Sequence, residues 1–579
     1  MSSARPDGFG DAILLAVIGV LVTLTALVWL WGAAAGALFG TGDPQLGVAQ
    51  LLDVLAHLPG HLDDPARAWP AFARPRLPGP TGFYGALVIV LAALTAAGYC
   101  AVRLAGPGLR SGGARWAAIS DLRSLHGPSL RARVGRRMSR VARAGPAEGP
   151  GARLVLGRHR GRLLYAEQRH ALIAFGPPQS GKSAGLAVPA LLEWDGPAVA
   201  SSIKTDLLSV TQARRQALGS TFVFDPFALS GAASHTWSPL RGASTWDGAL
   251  ESAWRLASAG EVDGRGVEGG DFWAVAAEQR LAPLLFAAAR SGAGVQTLVR
   301  WAYGQGTREL HQVLDEIAGE ARDEVALGDA HAAYDAVRAF EAQADRTRSS
   351  IEATAQALLR AYRFTRVARS AESCEITPDR ILDERATLYL IGDAKATKLL
   401  RPLFLALLSE VVDRAYERAT LAGGRLDLPL LLCLDEAGNV APLPNLAEIA
   451  STAPSHNIQL VSIFHDLAQA RSRYGKQAET MINAHRARML LPGVADLETL
   501  RYFASLIGEE EIRELTRTSG AGGTTRSVSR RRRPLSAPEA LRQLPEYHAL
   551  LLYGRLAPVR LGLRLWFADR RLRTLGGSL

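Results

Sequence analysis

The segment Gly176-Pro177-Pro178-Gln179-Ser180-Gly181-Lys182-Ser183 has the G-x-x-x-x-G-K-S spacing of a phosphate-binding loop. Its setting fits that chemistry. The apolar run 171–175 ahead of it reads as a buried strand, and the alanine-rich stretch after Lys182 reads as a helix. Where a strand passes through a tight loop into a helix, successive backbone N–H groups converge on phosphates and the helix N-terminus adds partial positive charge. Lys182 would reach the β- and γ-phosphates, Ser183 would ligate Mg2+, and Gly181 lets the backbone approach without a Cβ. The implied ligands are ATP and Mg2+. A Gly/Pro surface loop can match this spacing by chance in a chain with 57 glycines, so a second motif matters.

That motif is Leu430-Leu431-Leu432-Cys433-Leu434-Asp435-Glu436. A fully apolar strand delivers two carboxylates at its C-terminal end, the ligand side of an open parallel sheet. Asp435 would hold Mg2+ through water, and Glu436 would act as general base on the attacking water. An Asp-Glu pair in this position is otherwise an N-cap. Here Ala437-Gly438-Asn439 follow, then Pro442 and Pro444, so no helix is expected to start at once. A carboxylate after the metal ligand points to hydrolysis coupled to work.

The elements that must position these groups are read from the apolar runs. Before the loop, residues 12–39 and 77–102 carry no charge, with an apolar core at 83–102 in the second. Each exceeds the ~20 residues that span a bilayer. The first is too long for the apolar region of a leader and lacks a charged start, so two spanning helices, 12–39 and 82–102, are expected. The connecting segment holds Arg67, Arg74 and Arg76 against Asp43, Asp53, Asp63 and Asp64, whereas ten arginines fall between Arg103 and Arg143. The positive-inside rule then places both termini, and the ATPase, in the cytoplasm of a two-pass protein of the cell membrane. Contact with anionic headgroups accounts for many of those arginines. The net charge of +11 is therefore compatible with nucleic acid without requiring it. Three cysteines show no metal spacing, and Cys433 is expected in the core.

Residues 1–103 are thus read as a membrane anchor and 104–150 as a juxtamembrane linker. From about Arg153, apolar runs at 171–175, 198–203, 221–224, 387–391, 429–434, 458–464 and 489–491 alternate with helical stretches. This predicts an α/β fold, a RecA-like P-loop ATPase domain built from 151–244 and 365–579. Residues 245–364 show no convincing strand and read as an inserted all-α domain. Phe272, Trp273, Ala276, Leu281, Leu284 and Leu285 are expected on one buried helix face, with Ile351, Leu358 and Leu359 later. Residues 519–533 end in Arg530-Arg531-Arg532-Arg533, a run expected to be solvated and disordered, with phosphate contact as the alternative. Residues 549–567 alternate like a hairpin around Ala557-Pro558. Lys204, Thr205 and Asp206 stand at a strand end, where helix capping is favoured over a link between nucleotide state and movement.

Together these features resemble the coupling proteins of type IV secretion and conjugation, the TraG/TraD-like DNA-transfer ATPases. The resemblance also rests on Ile203-Lys204-Thr205-Asp206, Phe224-Asp225-Pro226-Phe227, Trp237-Ser238-Pro239-Leu240, Thr347-Arg348-Ser349-Ser350 and the stretch 459–474. It implies a homo-hexameric ring at the cytoplasmic membrane that selects DNA, or a relaxase–DNA complex, and drives it into the type IV secretion channel. The α-helical domain would meet the cargo. Two features depart from the family. His465 stands where the family usually has a glutamine that senses the γ-phosphate, so it is expected either to take that role or simply to pack beside the strand end. Residues 452–457 contain no arginine to reach a neighbour's nucleotide, which leaves Arg471, Arg473 and Arg486 as substitutes. Other readings are an FtsK-type DNA translocase, a protein-export ATPase, or a cargo-docking receptor with weak hydrolysis. An ABC transporter or GTPase is disfavoured, since neither an LSGGQ-like nor an Asn-Lys-x-Asp motif appears. No internal repeat or heptad array is present.

Overall fold

The computed structural model describes residues 8–104, 113–126, 153–167, 170–264, 270–520 and 523–577. The chain divides into two compact units, Met1–Ser111 and Gly112–Leu579.

In the first unit, helices Gly8–Phe39 and Pro80–Leu104 cover the two expected spans. Each contains a stretch long and apolar enough to cross a membrane, Gly19–Phe39 and Pro80–Gly98. An aromatic cluster joins them. Trp31 packs edge-on against Trp69 and Phe83, and its indole N–H donates to the Phe83 carbonyl at 2.7 Å. Gly32 makes room for this, because a Cβ there would lie 2.9 Å from the Trp69 indole nitrogen.

Among its described residues the second unit has thirteen strands: β1 (Val155–His159), β2 (Arg162–Tyr165), β3 (Leu172–Phe175), β4 (Ala198–Ser202), β5 (Thr221–Phe224), β6 (Thr387–Ile391), β7 (Leu430–Leu434), β8 (Ile458–Phe464), β9 (Ala487–Leu490), β10 (Glu509–Gly520), β11 (Gly523–Pro534), β12 (His548–Tyr553) and β13 (Val559–Gly562). Eleven form one sheet in the order β2-β1-β13-β12-β9-β3-β8-β7-β4-β6-β5. The seven strands from β9 to β5 are parallel and correspond to the seven apolar runs. They read as continuous apolar runs because both faces are covered. Along β8, Ile458, Leu460 and Phe464 face one core while Val461 and Ile463 face the other. The expected hairpin is β12–β13, an antiparallel pair whose β12 is also antiparallel to β9.

Among the described residues between β5 and β6, all regular structure is helical, including Trp246–Gly264, Gly270–Arg290, Glu324–Glu341 and Asp345–Leu359. Leu281, Leu284, Leu285, Ile351, Leu358 and Leu359 are buried as expected, and Ala276 likewise. Phe272 is not: it is 59% exposed, one turn before the buried face becomes continuous. The side chain of Trp273 lies outside the described residues. These helices share one apolar core with a face of the sheet, and Arg255 pairs with Asp413 of helix Ala394–Leu421 at 2.8 Å.

Three local expectations are corrected. Residues 113–126, within the stretch read as a linker, belong to the second unit. Leu122 and Leu125, three apart in a 3-10 turn, are fully buried with Ala117, whose N–H donates to Pro558 O. The remainder of that stretch, 105–112 and 127–150, lies outside the described residues. The run Arg530–Arg533 is in a strand, β11, paired with β10. Arg533 meets Glu510 at 2.7 Å and Arg530 meets Glu511 at 3.4 Å, so facing glutamates offset the repulsion within the run. Thr205 does occupy the N-cap of helix Asp206–Gln216, but its side chain makes no capping bond, since its backbone is already αR.

Candidate nucleotide site

The sheet order places β8 between β3 and β7, so the phosphate-loop strand and the Asp-Glu strand are separated by one neighbour. All three run parallel and end at the same edge, with Phe175 opposite Phe464 and Leu434 opposite Ser462. The three chains leave that edge tied together. Gly176 N–H donates to Phe464 O at 3.0 Å, and Ala437 N–H donates to Ile463 O at 2.9 Å.

Gly176 to Gly181 form a tight turn in which Gln179 and Gly181 have φ of +67° and +86°. Pro177 and Pro178 remove N–H groups there, and Ser180 N–H closes the turn on Pro177 O. A Cβ on Gly176 would lie 2.5 Å from Ser180 Oγ and 3.0 Å from Leu491 Cβ, which explains that glycine sterically. Helix Ser183–Glu193 follows, beginning with a π-helical turn over Ser183–Ala187.

Six side chains meet at this edge. Ser183 Oγ donates to Asp435 Oδ2 at 2.6 Å. The Lys182 ammonium lies 3.4 Å from Glu436 Oε1 and donates to His465 Nδ1 at 2.9 Å. Because an ammonium only donates, His465 carries its hydrogen on Nε2, and that nitrogen faces Glu436 Oε2 at 3.4 Å. Asn439 Nδ2 donates to the same Glu436 oxygen at 2.8 Å. His465 is therefore part of the charged cluster rather than a bystander packed at the strand end. Its backbone N–H is fixed by Gln469 Oε1 at 2.8 Å.

Lys182, Asp435 and Glu436 are all buried. Burial pushes the Asp435 carboxyl up, against the Ser183 hydrogen bond and the Lys182 charge. Burial acts the same way on Glu436, but hydrogen bonds from His465 and Asn439 and the Lys182 charge outweigh it and hold the carboxyl down at about 2. Glu436 is also a non-glycine residue at φ +60°. Such strain costs on the order of 1–3 kcal/mol and persists only where surrounding contacts over-determine it.

The site suits a magnesium–nucleotide complex on its own chemistry. Asp435 Oδ1 and Ser180 Oγ are buried with no partner in the structure. Among the described residues no cluster of three or more His, Cys, Asp or Glu could hold a metal alone. Magnesium characteristically takes one or two carboxylates and completes its shell with phosphate oxygens and water, and Ser183 with Asp435 supplies such a partial set.

A model of the type IV secretory system conjugative DNA transfer family matches residues 115–577. The chain belongs to that family. Among curated relatives, the conjugal transfer protein TraG of Escherichia coli is 25% identical over 410 residues, 66% of this chain and 63% of the relative. The VirD4 protein of Rhizobium rhizogenes is 22% identical over 477 residues, 80% of this chain and 66% of the relative. The chain thus spans just under two thirds of the relatives it matches. A solved structure of the plasmid coupling protein TrwB in complex with ADP and Mg2+ superposes with a TM-score of 0.55 at 16% identity, covering 79% of this chain and 94% of that one. An unbound TrwB form gives 0.54 at 17%, covering 78% and 95%. These likenesses show a shared fold.

Within this family framework, sequence reasoning missed Asn439 and Gln469. Each lies within four residues of a predicted site residue, but an amide carries no motif until its partner is known. Among the candidate arginines, Arg471 is engaged by Glu479 and Glu498, and Arg486 faces Glu167 at 3.5 Å and the Tyr553 ring.

Proposed function

We propose that this chain is a membrane-anchored ATPase that drives conjugative DNA, alone or with an attached relaxase, into a type IV secretion channel. The observation carrying the reading is the convergence of Lys182, Ser183, Asp435, Glu436 and His465 at one edge of a parallel sheet. The loop 176–183 would bind the phosphates through the backbone N–H groups of its non-proline residues, with Lys182 on the β- and γ-phosphates. Ser183 and Asp435 would hold Mg2+, which when bound neutralises phosphate charge. Glu436 is the general base for water. Lys182 offers one ammonium to both roles: a phosphate that takes it removes part of what holds the Glu436 carboxyl down, so the base strengthens as the site fills. His465 then remains to orient Glu436 and take the position of a γ-phosphate sensor.

The spans Gly19–Phe39 and Pro80–Gly98, with the arginine-rich stretch that follows, support a two-pass anchor with both termini and the ATPase in the cytoplasm. We further infer a homo-hexamer, with the helical segment 245–364 as the domain that meets cargo. The relatives named for conjugal transfer support DNA as the cargo. The test is ATP hydrolysis by the full chain with and without single- and double-stranded DNA, beside Lys182→Ala. DNA-stimulated turnover lost in Lys182→Ala is expected. Turnover indifferent to DNA would overturn the nucleic-acid part, and turnover unchanged in Lys182→Ala would overturn the site.

A further inference from the structure

On the β8 side of the phosphate loop stand the charged groups Asp435, Glu436 and His465. The other side is built differently. Going outward from β3 the sheet continues through β9, β12 and β13, and the segments flanking β12 and β13 bring Tyr547 and Leu563 against the loop. A Cβ on Gly181 would lie 3.1 Å from Tyr547 Cδ1, 3.6 Å from its Cε1 and 3.4 Å from Leu563 Cδ1. A Cβ on Gly185, one helical turn on, would lie 2.9 Å from Leu563 Cβ. Trp566 N–H donates to Ala184 O at 3.1 Å, so the 563–566 stretch runs along the first turn after the loop.

Tyr547 is an aromatic residue packed beside Gly181 of the loop. It keeps 40% of its surface exposed, although apolar Leu563 lies next to it. Its φ is +56°, a region that costs a bulky residue energy. Its carbonyl accepts from Leu563 N–H at 2.6 Å, which pins the strained turn and sets the ring against the loop. An exposed ring in a strained backbone is poorly explained by core packing and well explained by a ligand.

We propose that Tyr547 is the platform on which the nucleotide's base stacks, with Leu563 as the adjoining apolar wall; this rests on the nucleotide reading of the loop. The charged side of the loop takes the terminal phosphates and the apolar side takes the base. Stacking tolerates any base because every base has a π face, so Tyr547 adds affinity without selecting adenine over guanine.

The test compares ATP, GTP and inorganic tripolyphosphate binding by the full chain and by Tyr547→Gly, Tyr547→Phe and Lys182→Ala. Glycine suits the positive φ, so Tyr547→Gly relieves strain and is expected to fold at least as well. It should weaken ATP and GTP alike by about tenfold or more and leave tripolyphosphate unchanged, while Tyr547→Phe stays within about twofold of the parent. ATP affinity unchanged in Tyr547→Gly, while Lys182→Ala abolishes it, overturns the platform alone. Failure of the unmodified chain to bind ATP, or binding indifferent to Lys182→Ala, overturns the nucleotide reading and the platform with it.

Discussion

Ser183 Oγ and Asp435 Oδ2 lie 2.6 Å apart across 252 positions of sequence. The hydroxyl is the first residue after the phosphate-loop lysine and the carboxylate is the first after β7, so the contact joins the two motifs directly. The other Asp435 oxygen is buried without a partner. Asp435→Asn keeps the size and removes the charge a metal needs. Magnesium-dependent ATP turnover is expected to fall by about 100-fold or more, read as hydrolysis rate against Mg2+ concentration, while the nucleotide-free protein keeps its thermal midpoint. Turnover at the parent rate would remove Asp435 from metal binding.

Glu436→Gln keeps the Asn439 and His465 neighbours but cannot accept a proton. Hydrolysis should drop by roughly 100- to 10,000-fold with ATP affinity retained. Equilibrium binding and single-turnover hydrolysis, measured on the same preparation, separate the two effects. If both fall together, Glu436 acts in binding rather than as the base.

Gly181→Ala tests the loop's geometry. At φ +86°, with Tyr547 Cδ1 3.1 Å from the new methyl, alanine is strained twice. A loss of about 1–3 kcal/mol is expected, seen as a lower thermal midpoint, together with weaker ATP binding. An unchanged midpoint would mean that the loop relaxes freely.

His485 gives a pH dependence separate from catalysis. It is fully buried, its Nδ1–H donates to Met481 O at 2.7 Å, and its Nε2 accepts from Ser462 Oγ at 3.1 Å. Burial lowers it from the usual 6.5 to about 4. The unfolded chain therefore takes the proton first, so stability is full above pH 6.5 and is lost as pH falls toward 4, by roughly 3 kcal/mol across the window. The thermal midpoint measured from pH 7 to pH 4 should fall less steeply in His485→Gln than in the parent. Parallel curves would assign the acid sensitivity to other groups.

The strand runs were legible because parallel strands covered on both faces are uninterrupted apolar stretches, and β3, β7 and β8 are such stretches. The phosphate loop and the Asp-Glu pair were legible because their spacing is local. The β10–β11 hairpin was not, because Arg530–Arg533 look merely repulsive until Glu510 and Glu511 are placed opposite them. The same holds for residues 113–126, whose Leu122 and Leu125 are too few to signal a core contact by themselves.

The sequence by itself determined the two motifs that contain Lys182, Ser183, Asp435 and Glu436, the two apolar spans, and the α/β alternation with its helical interruption. Each depends on residue type and short-range spacing. Only the tertiary structure decided that His465 bridges Lys182 and Glu436, that Asn439 and Gln469 hold that bridge, and that Tyr547 stands against Gly181. Those relationships join residues on different strands, and strand order is fixed by how the whole sheet buries its two faces, which no local pattern records.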